Sequence, residues 1–202
     1  MATTVGIDLG GTKVLAALMV NNDIVDTVTF STPGGPGELV SAAADAVARL
    51  GSDAVEAVGV GIAGLVRWPD GVFAWGPHVA GSEVPVRSEL EDRLGLPVVV
   101  DNDANAAIWG ELHLGVARGH DNVLLVTLGT GIGGAIVVDG RMYRGSSFAG
   151  EWGHMVYDTE GVRCDCGKVG CWETVASGPA LARLGAAFVS QNPDGSLAHQ
   201  LG

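Results

Sequence analysis

All three cysteines of this 202-residue chain fall within eight residues, at Cys164, Cys166 and Cys171, and His154 stands ten positions before the first of them. An odd, clustered set of thiols does not read as a disulfide framework; it reads as a metal site in a reducing cytoplasm. Three thiolates and one imidazole make a closed tetrahedral set for a structural Zn²⁺, with no position left open for catalysis. The alternative is three free cysteines in a loop beside a surface histidine. If the four converge, residues 151–173 must fold as a loop around them. Glu151 and Glu173 flank that loop, and two acids fixed beside a metal suit a ligand rich in hydroxyls. His154 has a second ring nitrogen to offer such a hydroxyl, which would tie metal occupancy to ligand affinity.

The rest of the chain reads as α/β. Val5–Leu9, Val14–Val20 and Ile24–Phe30 are apolar runs, and Asn21-Asn22-Asp23 turns between the last two. Glu38–Leu50 carries Leu39, Val40, Ala43, Val47 and Leu50 at helical spacing and ends at Gly51. Ala57–Ile62 is a buried strand, and 65–75 a hairpin about Pro69-Asp70-Gly71. Val86–Leu94 is an amphipathic helix, 97–100 a strand, and 103–116 a helix capped by Asn102 or Asp101. Polar residues 118–122 mark a boundary between lobes, 1–118 and 119–202. The second lobe opens with strand Val123–Leu128, glycines 129–134, and strand Ala135–Val138 turned back at Asp139-Gly140. A last helix runs from Pro179, behind Ser177, to Val189.

Strand, glycine loop, strand thus occurs twice. In the first, Asp8 ends a buried strand, and Gly10, Gly11 and Thr12 allow a tight turn whose N–H groups point at a phosphate. Lys13 adds a charge, and Asp8 is placed to hold Mg²⁺ through water. Gly129, Thr130, Gly131 and Gly133 make the same offer in the second. An ordinary hairpin turn and a glycine-kinked hairpin are the competing readings. Neither loop has the Gly-Lys-Ser/Thr of a nucleoside triphosphatase P-loop. Asp103, at the head of a helix after a buried strand, is either a cap or a general base that takes a hydroxyl proton during phosphoryl transfer, with Asn102 orienting the same substrate.

A net charge of −12 argues against nucleic acid and anionic membrane as partners. The most apolar run, Val123 to Val138, is broken by glycines and does not read as a membrane span. No signal-like segment precedes the first strand.

These motifs, in this order, resemble the ROK family of sugar kinases, within the actin-like ATPase superfamily of ribonuclease H-like folds, and bacterial glucokinases in particular. The resemblance rests on Asp8-Leu-Gly-Gly-Thr-Lys13, Asn102-Asp103-Ala-Asn105, Gly129-Thr-Gly-Ile-Gly133, Gly150-Glu-Trp-Gly-His154 and the Cys-x-Cys-Gly-x-x-Gly-Cys-x-Glu run that ends at Glu173. It implies a two-lobed α/β fold and ATP-dependent phosphorylation of the 6-hydroxyl of glucose. Asp103 would be the base. Gly64, Asn102, Glu151, His154 and Glu173 would lie at the sugar, and the two glycine loops would hold ATP with Mg²⁺. Dimers or tetramers are implied as well. Relatives of this kind run to about three hundred residues, two lobes of ordinary domain size, so a second lobe left incomplete at Gly202 is expected. Trp75-Gly-Pro77-His78 departs from the glucokinase pattern, where an Asn follows the Pro, and leaves another hexose or an acylamino-hexose open as substrate. A sugar-binding protein without turnover is the third reading. The family's repressors carry a DNA-reading module before the first glycine loop; with the first strand starting by residue 5, none is expected.

Overall fold

The computed structural model describes residues 2–35, 37–51 and 54–196; Gly202, where a truncated second lobe was expected to end, lies outside them. Ten strands and five α-helices are assigned among the described residues. Strand β1 (Thr3–Leu9) pairs antiparallel with β2 (Lys13–Val20), which pairs antiparallel with β3 (Asp23–Ser31). Helix α1 (Glu38–Leu50) then leads to β4 (Ala57–Ile62), laid parallel to β1. The hairpin β5 (Leu65–Arg67) and β6 (Val72–Trp75) is followed by α2 (Val86–Leu94) and β7 (Val98–Asn102), parallel to β4. The sheet order is β3-β2-β1-β4-β7. Helix α3 (Asp103–Leu114) follows β7 with no intervening residue.

Alternation along the strands decides which side of this sheet is the core. Val5, Ile7 and Leu9 of β1 and Val58, Val60 and Ile62 of β4 all point one way and are buried. They pack with Leu39, Val40, Ala43 and Leu50 of α1 and Val86 and Leu90 of α2. Burying each Val, Leu or Ile side chain among them stabilises the fold by about 1.5–3 kcal/mol. The other side carries Gly6, Asp8, Gly59, Gly61 and Asp101. A Cβ on Gly61 would stand 3.2 Å from Ala106 Cβ and 3.3 Å from Asp103 Cα, so glycine there is what lets α3 lie against the sheet.

After α3 come β8 (Val123–Leu128), β9 (Ile132–Val138) and β10 (Arg141–Met142), a sheet of order β10-β9-β8. A 3₁₀ turn at Trp152–His154 precedes the cysteine segment, and α4 (Glu173–Ala176) and α5 (Gly178–Gln191) follow it. Two compact units result. The first runs to Leu124 and takes in Ala135–Ala149; the second takes Leu125–Gly134 and the described residues from Gly150 onward.

The mixed α/β reading holds. Helices α1 and α2 and strands β4 and β8 have the expected ends. Three of the differences bear on the candidate residues. Strand β7 runs on to Asn102, because its ladder with β4 continues through Asp101 and Asn102. Strand β9 begins at Ile132, so Gly133 and Gly134 belong to the strand rather than the loop. The Trp152 indole occupies the space a Gly134 side chain would need, and its Nε1–H donates to Leu125 O at 3.1 Å. Helix α3 stops at Leu114, short of residue 116.

Candidate functional site

In the first unit the candidate residues gather at the ends of β1 and β7, the two strands that flank β4. The turn after Asp8 closes with Gly10 N–H donating to Lys13 O at 3.0 Å. Thr32 fastens it: its hydroxyl donates to Gly10 O at 2.6 Å and its N–H to Thr12 O at 3.1 Å. A side chain on Gly11 would collide with the Cβ and carbonyl of His78, so the turn has no room for anything but glycine there. The Asp8 carboxyl has an exposed side. Burial nevertheless raises its pKa above the ordinary carboxylate value, and the charge of Lys13 opposes that shift.

Asp103 opens α3 beside this turn. Asn102 caps the helix, its Oδ1 accepting from the N–H groups of Ala104 at 2.9 Å and Asn105 at 3.1 Å. The Asn102 amide nitrogen donates to Gly64 O at 3.0 Å and to Asp103 Oδ1 at 2.9 Å. Ala104 N–H also donates to Asp103 Oδ1, at 2.9 Å. With those bonds on Oδ1, Oδ2 is the better placed oxygen to take a proton. Burial raises the Asp103 pKa, and the nearby Asp8 carboxylate raises it further. Hydrogen bonds from Ala104, from its own N–H and from Asn102 hold it back. A carboxylate whose pKa is raised is a stronger base than an ordinary one, which suits general-base work. Asn102, not Asp103, is the cap, and the acid beside it is held by the bonds from Asn102 and Ala104.

In the second unit the four sequence-singled ligands do converge. The ligand atoms of His154, Cys164, Cys166 and Cys171 all lie within 4.8 Å of one another. Local bonds explain how. Cys164 N–H donates to Lys168 O at 2.8 Å and Gly167 N–H to Cys164 O at 2.9 Å, which curls the chain so that Cys164 and Cys166 face one point. A bridge between Val156 and Cys171 then brings the segment that follows His154 alongside. The Cys166–Cys171 Sγ separation is 3.6 Å, and Cys164 Sγ lies 3.7 Å from His154 Nδ1. Bonds of about 2.3 Å to sulfur and about 2.0 Å to nitrogen, set tetrahedrally, give edges of roughly 3.5–3.8 Å. The donor set and spacing are thus compatible with zinc. Burial, and next the Glu173 carboxyl, push the Cys164 thiol pKa up, so metal binding there must displace a proton.

Both acids stand against this cluster. Glu173 Oε1 accepts from Cys164 Sγ at 3.0 Å and lies 3.4 Å from His154 Nδ1. Its Oε2 accepts from Ile132 N–H at 3.4 Å, just past the second glycine turn, where Gly129 N–H donates to Gly131 O at 3.0 Å. Glu151 Oε2 is 4.0 Å from His154 Nε2. The imidazole thus turns Nδ1 to the thiols and Nε2 toward Glu151. Thr130 is exposed at the tip of the turn, and Gly133 sits one residue inside β9.

Sequence reasoning passed over Thr32 and Arg144. Thr32 is far from the turn it pins, and Arg144 meets Asp101 from 43 residues away. No local pattern carries either contact.

The chain matches the family model described as ROK family over residues 4–195. It is 42% identical to a glucokinase of Streptomyces coelicolor over 96% of this chain, and 37% identical to an N-acetylmannosamine kinase of Salmonella arizonae over 89% of it. Among solved structures it superposes with a TM-score of 0.87 on a ROK family glucokinase of Streptomyces griseus in complex with glucose and AMPPNP, at 41% identity and over 96% of this chain. The chain spans 62% of the Streptomyces coelicolor protein's length and 63% of the Streptomyces griseus chain.

Proposed function

Because the chain belongs to the ROK family, we propose that it is sugar-kinase machinery of the glucokinase kind, transferring the γ-phosphoryl group of ATP to the 6-hydroxyl of glucose. The observation that carries this reading is Asp103: a carboxylate locked by Asn102 and Ala104, raised in pKa by burial and Asp8, with one strand, β4, between its own and that of a glycine turn. In this reading Asp103 takes the hydroxyl proton as the oxygen attacks phosphorus. The N–H groups of Gly10, Gly11 and Thr12, with Lys13, and those of Gly129, Thr130, Gly131 and Gly133 are assigned to phosphate oxygens. Asp8 would hold Mg²⁺ through water, and Mg²⁺ bound with ATP supplies charge neutralisation on the phosphoryl group.

Sugar hydroxyls are assigned to Asn102, with Gly64 behind it, and to Glu151, His154 and Glu173. Zn²⁺ on His154, Cys164, Cys166 and Cys171 would be structural, fixing the tautomer of His154 so that Nε2 and Glu151 are offered together. Division into lobes at 118/119 and assembly as a dimer or tetramer belong to the same reading. A second reading, phosphorylation of an acylamino-hexose, stays open because His78 stands where the glucokinase pattern has an Asn. The match to an N-acetylmannosamine kinase supports it too.

The test is coupled ADP release from MgATP with glucose, N-acetylglucosamine or N-acetylmannosamine, set beside Asp103→Asn. General-base removal is expected to lower turnover by about 10²–10⁴-fold. Normal turnover in Asp103→Asn refutes the mechanism. Absent turnover in the unmutated chain, with sugar still perturbing tryptophan fluorescence, makes it a sugar-binding protein instead.

A further inference from the structure

Asp101 is a buried acid that the proposed chemistry does not use. It is the last residue but one of β7, is 7% exposed, and collects four hydrogen bonds. Its Oδ1 accepts from Asn102 N–H at 2.9 Å and from the Asn105 amide nitrogen at 2.9 Å. Its Oδ2 accepts from Arg144 Nε at 2.9 Å and Nη2 at 2.7 Å. The guanidinium is itself held: it lies 3.9 Å over the Trp68 ring, and the Trp68 N–H donates to Ser147 Oγ at 3.1 Å. An ion pair this far from water adds little net stability, since desolvating both charges offsets their attraction. What it fixes is geometry.

The bonds lead to the proposed base. Asp101 orients the backbone of Asn102, and Asn102 donates to Asp103 Oδ1. Asp101 also sets the amide of Asn105, whose buried Oδ1 has no partner among the described residues, so the bond to Asp101 is what orients that group. We propose that Arg144 is a positioning residue for Asp103, acting through Asp101 and Asn102. Arg144 pins the oxygen of Asp101 opposite the one that serves the turn. Without it two of the four bonds that fix the Asp101 carboxylate are gone, and the common reference of Asn102, Asn105 and then Asp103 loosens. Lysine does not substitute: it offers neither the planar fork nor the stacking surface.

This inference rests on the reading of Asp103 as base, and the experiment separates the two. Arg144→Ala, Arg144→Lys and Arg144→Ala/Asp103→Asn are compared with the parent chain and with Asp103→Asn, cooperative unfolding of each confirming that it folds. Arg144→Ala is expected to lower kcat by about tenfold or more with little change in the sugar KM, the signature of a contact used in the transition state. Non-denaturing guanidinium chloride restores part of that loss, and potassium chloride does not. In the Asp103→Asn background the same substitution costs nothing further. An equal loss in both backgrounds, or a change confined to KM, overturns the proposal.

If the parent chain shows no turnover, the function reading fails alone, and the side-chain amide resonances of Asn102 and Asn105 decide the positioning role. They shift and broaden in Arg144→Ala and return with guanidinium if Arg144 orders the turn. Unchanged resonances refute it.

Discussion

The turn at residues 101–105 and the segment 151–173 each hold carboxylates with proposed roles, yet they are built in opposite ways. The turn stands on a packed sheet. The buried core cluster, from Val5 to Val100, belongs entirely to the first unit, and strand β7 delivers Asp103 with its position already fixed by the ladder to β4. The second unit has little of this. Among its described residues the buried apolar side chains are Ile132, Cys164, Cys171 and Ala180, and two of these four are candidate ligands. Met155, Val156, Tyr157 and Val162, which fill the segment, are half or more exposed. Positioning by burial and, with zinc bound, positioning by ligation would therefore be distinct, and they would fail under different insults.

Metal removal should expose the difference most. Binding free energies of structural zinc are about 10–16 kcal/mol in small modules, far more than the few buried side chains of the segment supply. Chelation, or Cys171→Ser, is expected to abolish amide protection at Met155 and Trp172, while β1 and β4 keep theirs. Hydrogen exchange followed by mass spectrometry checks it. Protection that survives in the segment would show that its hydrogen bonds suffice without metal. The converse insult is Phe73→Ala. Phe73 is fully buried in the first unit, and its ring packs where a Gly64 side chain would go. The expected loss is about 3–5 kcal/mol, measured by urea unfolding, with zinc content per chain unchanged. A fall in bound zinc of the folded variant would mean that the two regions are not independent.

The same contrast governs what could be read from the sequence. The turn was legible because strand, cap and helix follow one another: an apolar run to Val100, Asn102 or Asp101 as cap, then a helix. The ligands were legible because thiols and imidazole are rare and chemically specific. What escaped were contacts between distant residues. Arg144 and Thr32 are ordinary polar residues in sequence, and only the fold brings them to Asp101 and to Gly10. The start of β9 was misplaced because glycine spacing reads as a loop. Here those glycines make room in a strand, Gly134 for the Trp152 ring. Helix α4 was missed because a four-residue helix directly after Cys171 and Trp172 has no periodicity to detect.

The smallest expected effect sharpens what positioning by burial costs. Asp103 has a folded-state pKa above its unfolded value, first from burial and then from Asp8. Between those two pKa values the native state binds more protons than the unfolded chain, so stability falls as pH rises through that window. Below the ordinary carboxylate range the group is protonated in both states and the penalty is absent; above the raised pKa it is fully present. Asp103→Asn removes the charge and keeps an oxygen for the Ala104 N–H. The variant should match the parent at acid pH and become progressively more stable than it as pH rises to neutrality, while turnover is lost. Urea unfolding of both proteins across that range reads the difference. A variant less stable than the parent at neutral pH would mean that the hydrogen bonds to the Asp103 carboxylate outweigh its burial and its repulsion by Asp8. The turn would then owe its order to the charge, and burial would not be what holds the base in place.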